Sequence, residues 1–280
     1  RRRAMVNVRT RPRASGGYAE RPDYDVHFEP CPRRLRVAFG GTTVVDSTRA
    51  RYLFETDHVP IYYFPRADVR MDLLTRTDHR TTCPYKGDAG YFSVTWDGRT
   101  AENAAWTYDS PFPEVAEIKD YLAFYWDRMD HWYEEDDEVF VHARDPYKRV
   151  DVVASRRPIE VVLGGTTVAR STGARFLFET GLPTRYYLPA ADVRMDLLTP
   201  SDTTTRCPYK GTARYWHATV GGRRFENVVW SYPDPIPEAA RIKGLLAFFD
   251  EHMDEVRVDG AVVPRGVTPW SNGKPATAAR

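Results

Sequence analysis

The sequence predicts a mainly β fold with some α (α+β), built as two tandem copies of one small β-rich module, each with a helix on its C-terminal side. Three observations predict it. The stretch Thr82-Cys83-Pro84-Tyr85-Lys86-Gly87 returns as Arg206-Cys207-Pro208-Tyr209-Lys210-Gly211 at a spacing of 207 − 83 = 124, and Trp106 and Trp230 keep the same spacing. Short aromatic and β-branched runs alternate with glycine and proline turns through both copies, as the strands of half-buried sheets do. From Arg33 to Asp130 roughly half the positions match their partners without a gap. One domain-sized plan is therefore repeated twice, unlike the many short units of a solenoid.

Composition bounds the function classes. The chain has 280 residues, 42% of them hydrophobic and 28% charged, which suits two folded domains rather than a disordered chain. A net charge of +1 advertises neither a nucleic-acid nor a membrane partner. The segment from Arg1 to Arg13 is basic and poor in apolar residues. It reads as a solvated tail over 1–24, with a nucleic-acid arm as the weaker alternative, and it lacks the apolar run of a signal peptide. The expected modules are 25–148 and 149–272, followed by a short tail over 273–280. Three cysteines (Cys31, Cys83, Cys207) without a Cys-x-x-Cys pair argue for a reducing cytoplasm, no disulfide framework and no structural metal. The seven histidines have no metal-ligand spacing, and none is repeated.

In order, Arg33 to Thr48 predicts two strands around Gly40-Gly41, matched by Arg157 to Thr172 around Gly164-Gly165. Arg51-Tyr52-Leu53-Phe54-Glu55-Thr56 and Arg175-Phe176-Leu177-Phe178-Glu179-Thr180 predict a further strand, and Tyr62-Tyr63 and Tyr186-Tyr187 another, each ended by proline. The longest identity, Ala67 to Thr75 against Ala191 to Thr199, predicts one helical turn and then a strand. The Cys-Pro-Tyr-Lys-Gly turn follows, and after it strands at Tyr91 to Val94 and Tyr215 to Val220. Pro113-Glu114 and Pro237-Glu238 each predict a helix start. Ile118, Leu122 and Phe124 would form the apolar face of the first helix, and Ile242, Leu245, Leu246 and Phe249 that of the second. Val256 to Val262 closes the second copy as a hairpin around Asp259-Gly260, and Trp132 to Val141 stands in its place in the first, with a looser turn expected.

Two copies allow an internal comparison. Apolar matches are explained by a core and glycine matches by turns. The polar matches are the candidate site. Cys83 and Cys207 are candidate nucleophiles with a lysine three residues on, although no histidine is repeated beside them, so a thiol packed against a rigid proline is the plainer reading. Lys86 and Lys210 offer a point charge to a carboxylate or phosphate, a catalytic base or Schiff-base former if desolvated, or a buried pair with Glu102/Glu226 or Glu55/Glu179. Glu102 and Glu226 are candidate acid–base groups, as are Glu55 and Glu179 if they converge in a cleft. Arg70 with Asp72, and Arg194 with Asp196, two apart on one face of a strand, form either a structural pair or an anion clamp. Tyr85, Trp106 and Tyr108, with Tyr209, Trp230 and Tyr232, line either a pocket wall or the core. The copies differ beside the motif at Gly90/Arg214, Ser93/His217 and Trp96/Val220.

The order Leu-Phe-Glu-Thr, Tyr-Tyr-x-Pro, Asp-Val-Arg-Met-Asp-Leu-Leu, Cys-Pro-Tyr-Lys-Gly, Glu-Asn-x-x-Trp-x-Tyr and Pro-x-Pro-Glu occurs twice and resembles the domain-of-unknown-function family 427 of bacteria and fungi, sometimes labelled nucleotidyltransferase-like. Pro264 to Ser271 also resembles that family's C-terminus. The resemblance implies a small β-rich, Mss4-like, tent-like fold with a ligand-sized cleft between sheets, and no settled activity. The residues do not support the nucleotidyltransferase label, having neither a phosphate loop nor an Asp-x-Asp metal pair. The expected function is therefore binding of a small anionic ligand by Arg70/Lys86 and Arg194/Lys210, with chemistry by Glu102/Glu226 or the cysteines left open. The alternative is a non-catalytic binding or scaffold module whose polar set is an ion-pair network. No cofactor is named by the residues, and intramolecular pairing of the two modules is the one partner contact a duplication suggests.

Overall fold

A computed structural model of the chain describes residues 16–268. The basic segment Arg1 to Arg13, the Trp270-Ser271 end of the family-like stretch and the tail 273–280 lie outside the described residues. The chain divides into two compact units, with the boundary between Ala143 and Arg144.

In the first unit, β1 (Val26–Pro30), β4 (Arg51–Glu55), β5 (Ile61–Pro65), β9 (Tyr121–Phe124), β8 (Arg99–Thr107), β7 (Gly87–Trp96) and β6 (Leu74–Cys83) lie in that spatial order in one seven-stranded sheet. A second sheet orders β11 (Asp137–Glu138), β10 (His131–Glu134), β2 (Leu35–Phe39) and β3 (Thr42–Ser47). The second unit repeats the plan. Strands β12 (Val150–Ala154), β15 (Arg175–Glu179), β16 (Arg185–Leu188), β20 (Leu246–Phe248), β19 (Arg223–Ser231), β18 (Gly211–Val220) and β17 (Leu198–Cys207) make its large sheet. Its small sheet holds β14 (Thr166–Ser171), β13 (Ile159–Leu163), β21 (Glu255–Val258) and β22 (Ala261–Val262).

The turn chemistry is what the sequence demands. Gly40 and Gly41 sit at φ 59° and 79°, which suits a two-residue hairpin turn whose twist matches its strands. Asp259-Gly260 does the same at 54° and 80°. In the first copy the corresponding connection is also only two residues, Glu135-Asp136, tighter than the acidic run suggests.

Successive side chains of a strand point to opposite sides, and the inner strands of the large sheet, such as β5 and β9, are buried on both faces, while the edge strand β6 is largely exposed. Tyr52, Tyr62, Phe64, Phe92 and Phe124 pack against Leu35, Val37, Phe39 and Trp132 of the small sheet. Leu53, Tyr63, Tyr91 and Ala123 form a second core with Val115 and Ile118. The second unit divides in the same way, with Leu188, Phe248 and Val161 in one cluster and Leu177, Tyr187, Ala247 and Ile242 in the other.

Two expectations need correction. The helices expected at Pro113 and Pro237 are six-residue 3-10 runs, Pro113–Ile118 and Pro237–Ile242. Val115 already leaves helical geometry inside the first run. Asp120 at φ 66° and Gly244 at φ 69° then turn the chain into a strand, so Leu122 and Phe124 lie in β9 and Leu246 in β20. A spacing of two, with Ala123 facing the other core, fits these residues as well as a helical face does. The second correction concerns 16–24. Gly16–Glu20 is a short α-helix, α1, and Tyr18 and Tyr24 are buried. A Cβ at Gly17 would sit 2.7 Å from the Pro84 carbonyl oxygen, so the helix packs directly on the Cys-Pro-Tyr-Lys-Gly turn.

Candidate functional site

Cys83 and Gly87 are paired across β6 and β7, leaving Pro84-Tyr85-Lys86 as a three-residue turn. Gly87 closes it at φ 100°, with Gly211 at 104° in the second copy, a region that an L side chain occupies only with strain. The Lys86 amide donates to the Cys83 carbonyl, and the Phe112 amide to the Lys86 carbonyl. The turn is thereby fixed between its own hairpin and the 3-10 run.

This geometry sends the lysine inward. Lys86 Nζ donates to Glu55 Oε2 at the end of β4, and Lys210 Nζ donates to Glu179 Oε2 at the end of β15. Both pairs are buried, the Lys86 and Glu55 side chains being only 8% and 7% exposed. Of the two glutamate pairs the sequence offers, the structure selects Glu55 and Glu179. Burial pushes the Lys210 ammonium down, but Cys207 and Glu179 outweigh it and hold it above the usual lysine range. Burial likewise pushes the Glu179 carboxyl up, and Lys210 and Lys148 outweigh that, holding it below its usual range. A lysine kept charged is a poor base and a poor Schiff-base former.

The second oxygen of each glutamate is also engaged, by residues that the repeat does not conserve in type. Tyr24 Oη donates to Glu55 Oε1 at 2.8 Å, and Lys148 Nζ lies 3.1 Å from Glu179 Oε1. These are equivalent positions, since 148 − 24 = 124. Each covers the tyrosine of its turn. The Tyr24 ring stacks on Tyr85 with centroids 3.6 Å apart, and Lys148 Nζ sits 5.3 Å from the Tyr209 ring centre. Sequence comparison missed both because it looked for identity, and the signal available was the shared register.

The remaining candidates fall in three places. Trp106 and Tyr108, like Trp230 and Tyr232, belong to the outer core beside the ion pair. Trp106 Nε1 donates to Tyr63 Oη at 3.2 Å and Trp230 Nε1 to Tyr187 Oη at 3.0 Å, while Lys86 Nζ lies 5.9 Å from the Tyr108 ring centre. Cys83 and Cys207 are partly buried free thiols packed in the same cores. Glu102 and Glu226 are exposed and are not brought to the lysines. Their motif has another cause: Asn103 and Asn227 adopt φ 49° and 53° where the register of the hairpin shifts, a conformation asparagine tolerates. Arg70 and Asp72, at a 3-10 turn rather than on a strand, form an exposed two-bonded pair of 2.8 and 2.6 Å. Arg194 and Asp196 repeat it with the same distances. Neither arginine joins the lysine of its copy.

Beside the turn of the first unit lies a groove of about 340 Å³, lined by Arg76, Arg80, Gly87, Asp88, Gly90, Asp109, Ser110 and Phe112. Asp88 accepts from Thr82 Oγ1 at 2.6 Å, and Asp109 accepts from Arg76 Nη2 at 2.5 Å. Arg80 donates only to the backbone carbonyls of Thr77 and His79 among the described residues. Arg76, Arg66 and Arg80 together hold the Asp109 carboxyl below its usual range, the Arg76 hydrogen bond being the largest cause. No group of histidines, cysteines and carboxylates that could hold a metal ion occurs among the described residues, and no helix among them is long and apolar enough to cross a membrane.

No curated protein matches the chain. A family profile described as a domain of unknown function (DUF427) matches it twice, over residues 27–135 and 151–259. Each match reaches both sheets of one unit, ending just before the last strand, β11 or β22, and includes its Glu–Lys pair. The chain belongs to the DUF427 family and carries that family's domain in tandem duplicate.

Proposed function

We propose that the chain is a non-catalytic binding protein for a small anionic ligand. In this reading the repeated Lys–Glu sets are braces that hold the Cys-Pro-Tyr-Lys-Gly turns, and the ligand is taken at the surface those turns shape. The observation that carries it is a contrast of charge states. Inside, each lysine is matched by a buried glutamate whose second oxygen is also engaged. At the adjacent groove of the first unit, Arg80 has no carboxylate partner among the described residues. A saturated interior pair has neither a free base nor a free acid to offer a substrate, whereas an arginine bonded only to carbonyls retains donors for an anion.

The test is a thermal-shift series with small phosphates, sulfate and carboxylates on wild type, Cys83→Ala/Cys207→Ala and Lys86→Met/Lys210→Met. Anions should raise the melting temperature of wild type and of the cysteine variant alike. Each Lys→Met change should lower the stability of its unit by about 3–5 kcal/mol, because it takes from a buried carboxylate its most buried counter-charge. The reading is wrong if no anion shifts the wild type, or if the lysine variant melts normally while losing the shift.

A further inference from the structure

We propose that the first unit holds a single phosphate-binding seat, built by Arg66, Arg76 and Arg80 around Gly90, and that the second unit lacks it. The inference rests on the binding reading above and adds the chemical class of ligand and the number of sites.

The seat begins at Phe92 on β7. The Arg66 and Arg76 guanidinium carbons lie 5.5 and 5.1 Å from its ring centre, so one aromatic ring positions two arginines. Arg80 stands across the irregularity between Arg76 and Arg80, where the register of β6 shifts against β7. Arg76 and Arg80 line the groove, and Arg66, against Phe92 and outside the lining, adds its charge on Asp109; the two carboxylates of the groove, Asp88 and Asp109, already accept hydrogen bonds. The unmatched donors belong to arginine. Arginine's planar fork matches two oxygens of a tetrahedral anion, and a phosphate with two negative charges can engage more than one such fork. A groove of about 340 Å³ admits a phosphomonoester of modest size, with Phe112 available to its organic part.

Gly90 controls access to this arrangement. A Cβ built there would lie 2.2 Å from Arg76 Nη2 and 2.9 Å from its Cζ, so only glycine leaves the guanidinium where it is. Gly90 does not have positive φ, and the obstructed atoms are the end of a flexible side chain. Adding a methyl group there should expel Arg76 from its seat and leave the strand intact.

The second unit changes the whole set at once. In register, Arg66, Arg76, Arg80 and Asp109 are replaced by Ala190, Pro200, Thr204 and Pro233, and Gly90 by Arg214. The braced turn next to these positions is kept, with Lys210 on Glu179 and Gly211 at φ 104°. What separates the copies is therefore the groove and not the fold. The duplicated chain should bind one phosphate, not two.

The experiment is isothermal titration of the full chain with inorganic phosphate and with phenyl phosphate, with benzoate as the carboxylate control. The expected result is one site per chain for the phosphates, weakened about tenfold or more in Arg80→Met and in Gly90→Ala. Gly90→Ala should keep the wild-type melting temperature, which separates loss of the seat from loss of fold. Pro200→Arg in the second unit, where Arg214 still fills the place of Gly90, should not create a second site. A stoichiometry of two, or phosphate binding unchanged in both first-unit variants, overturns the seat while leaving the binding reading intact. Binding of benzoate in preference to the phosphates overturns the ligand class. If none of the three anions binds, the seat and the broader reading fall together.

Discussion

Glu179 has two lysines where Glu55 has a lysine and a tyrosine, and the two lysines are not equivalent. Lys210 is on the turn with its side chain 11% exposed, while Lys148 is 26% exposed and approaches from the segment before β12. Removing Lys210 takes away the charge that burial most requires, so Lys210→Met should cost about 3–5 kcal/mol. Lys148→Met leaves the carboxylate paired and should cost about 1 kcal/mol or less. Urea denaturation of the two single variants measures the difference, and equal losses would contradict the assignment. The pH dependence follows from Glu179, whose folded carboxyl titrates below its unfolded value. Its contribution is present above the unfolded value of about 4.5 and is lost as pH falls through the folded one. Lys210→Met should reduce that acid-side loss, Lys148 remaining on the carboxylate. The lysines, the glutamates and their repetition were legible in the sequence. The choice between Glu55 and Glu102 was not, because it depends on which strand end faces the turn, and positions 55 and 86 become neighbours only through the sheet order. Tyr24 and Lys148 were hidden for a different reason: a phenol and an ammonium can both donate to the same oxygen, so the role is kept while the residue type changes.

Among the elements, hairpins were the most legible because their turns carry explicit chemistry. Gly40-Gly41 and Asp259-Gly260 require positive φ, and few residue pairs supply it. The short 3-10 runs were the least legible. Proline at a first turn followed by apolar residues reads as a helix start, and nothing local reveals that Leu122 and Phe124 are needed as a strand between β5 and β8. The turn itself allows a sharp test. A Cβ at Gly211 would lie 3.3 Å from the Asp234 carbonyl oxygen and 3.4 Å from the Ile236 amide nitrogen, at φ 104°. Both obstacles are backbone, so the neighbour cannot swing aside as Arg76 can. Gly211→Ala should therefore destabilise by about 1–3 kcal/mol, whereas Gly90→Ala should be close to neutral. Chemical denaturation of both variants compares the two kinds of glycine. A neutral Gly211→Ala would mean that the turn relaxes, and would remove the reason for glycine in the repeated motif.

At the scale of the whole molecule, two units with separate cores and nearly identical topology differ most in how they place charge. The second unit buries Arg185 where the first has Ile61, and it faces that arginine with Asp250 and Glu251. Glu251 takes the closer bonds, at 2.5 and 2.8 Å from the guanidinium, and also accepts from Thr268. Asp250 is left at 3.6 Å. Burial pushes its carboxyl up to about 7, against the opposing pull of Arg185. An acid whose folded value is raised stabilises below its unfolded value and loses that contribution as pH rises through the folded one. The unfolded chain gives up this proton near pH 4 and the folded chain near pH 7, so Asp250 should cost the second unit on the order of 3 kcal/mol at pH 8 relative to pH 4. The first unit has Trp126 at the corresponding position and no such loss. Differential scanning calorimetry of the full chain at pH 4, 6 and 8 should therefore show Asp250→Asn gaining stability over wild type as pH rises. The gain should be confined to the transition of the second unit. A loss of stability that is independent of pH would instead mean that Asp250 is ionised at all three values and serves as a second counter-charge to Arg185.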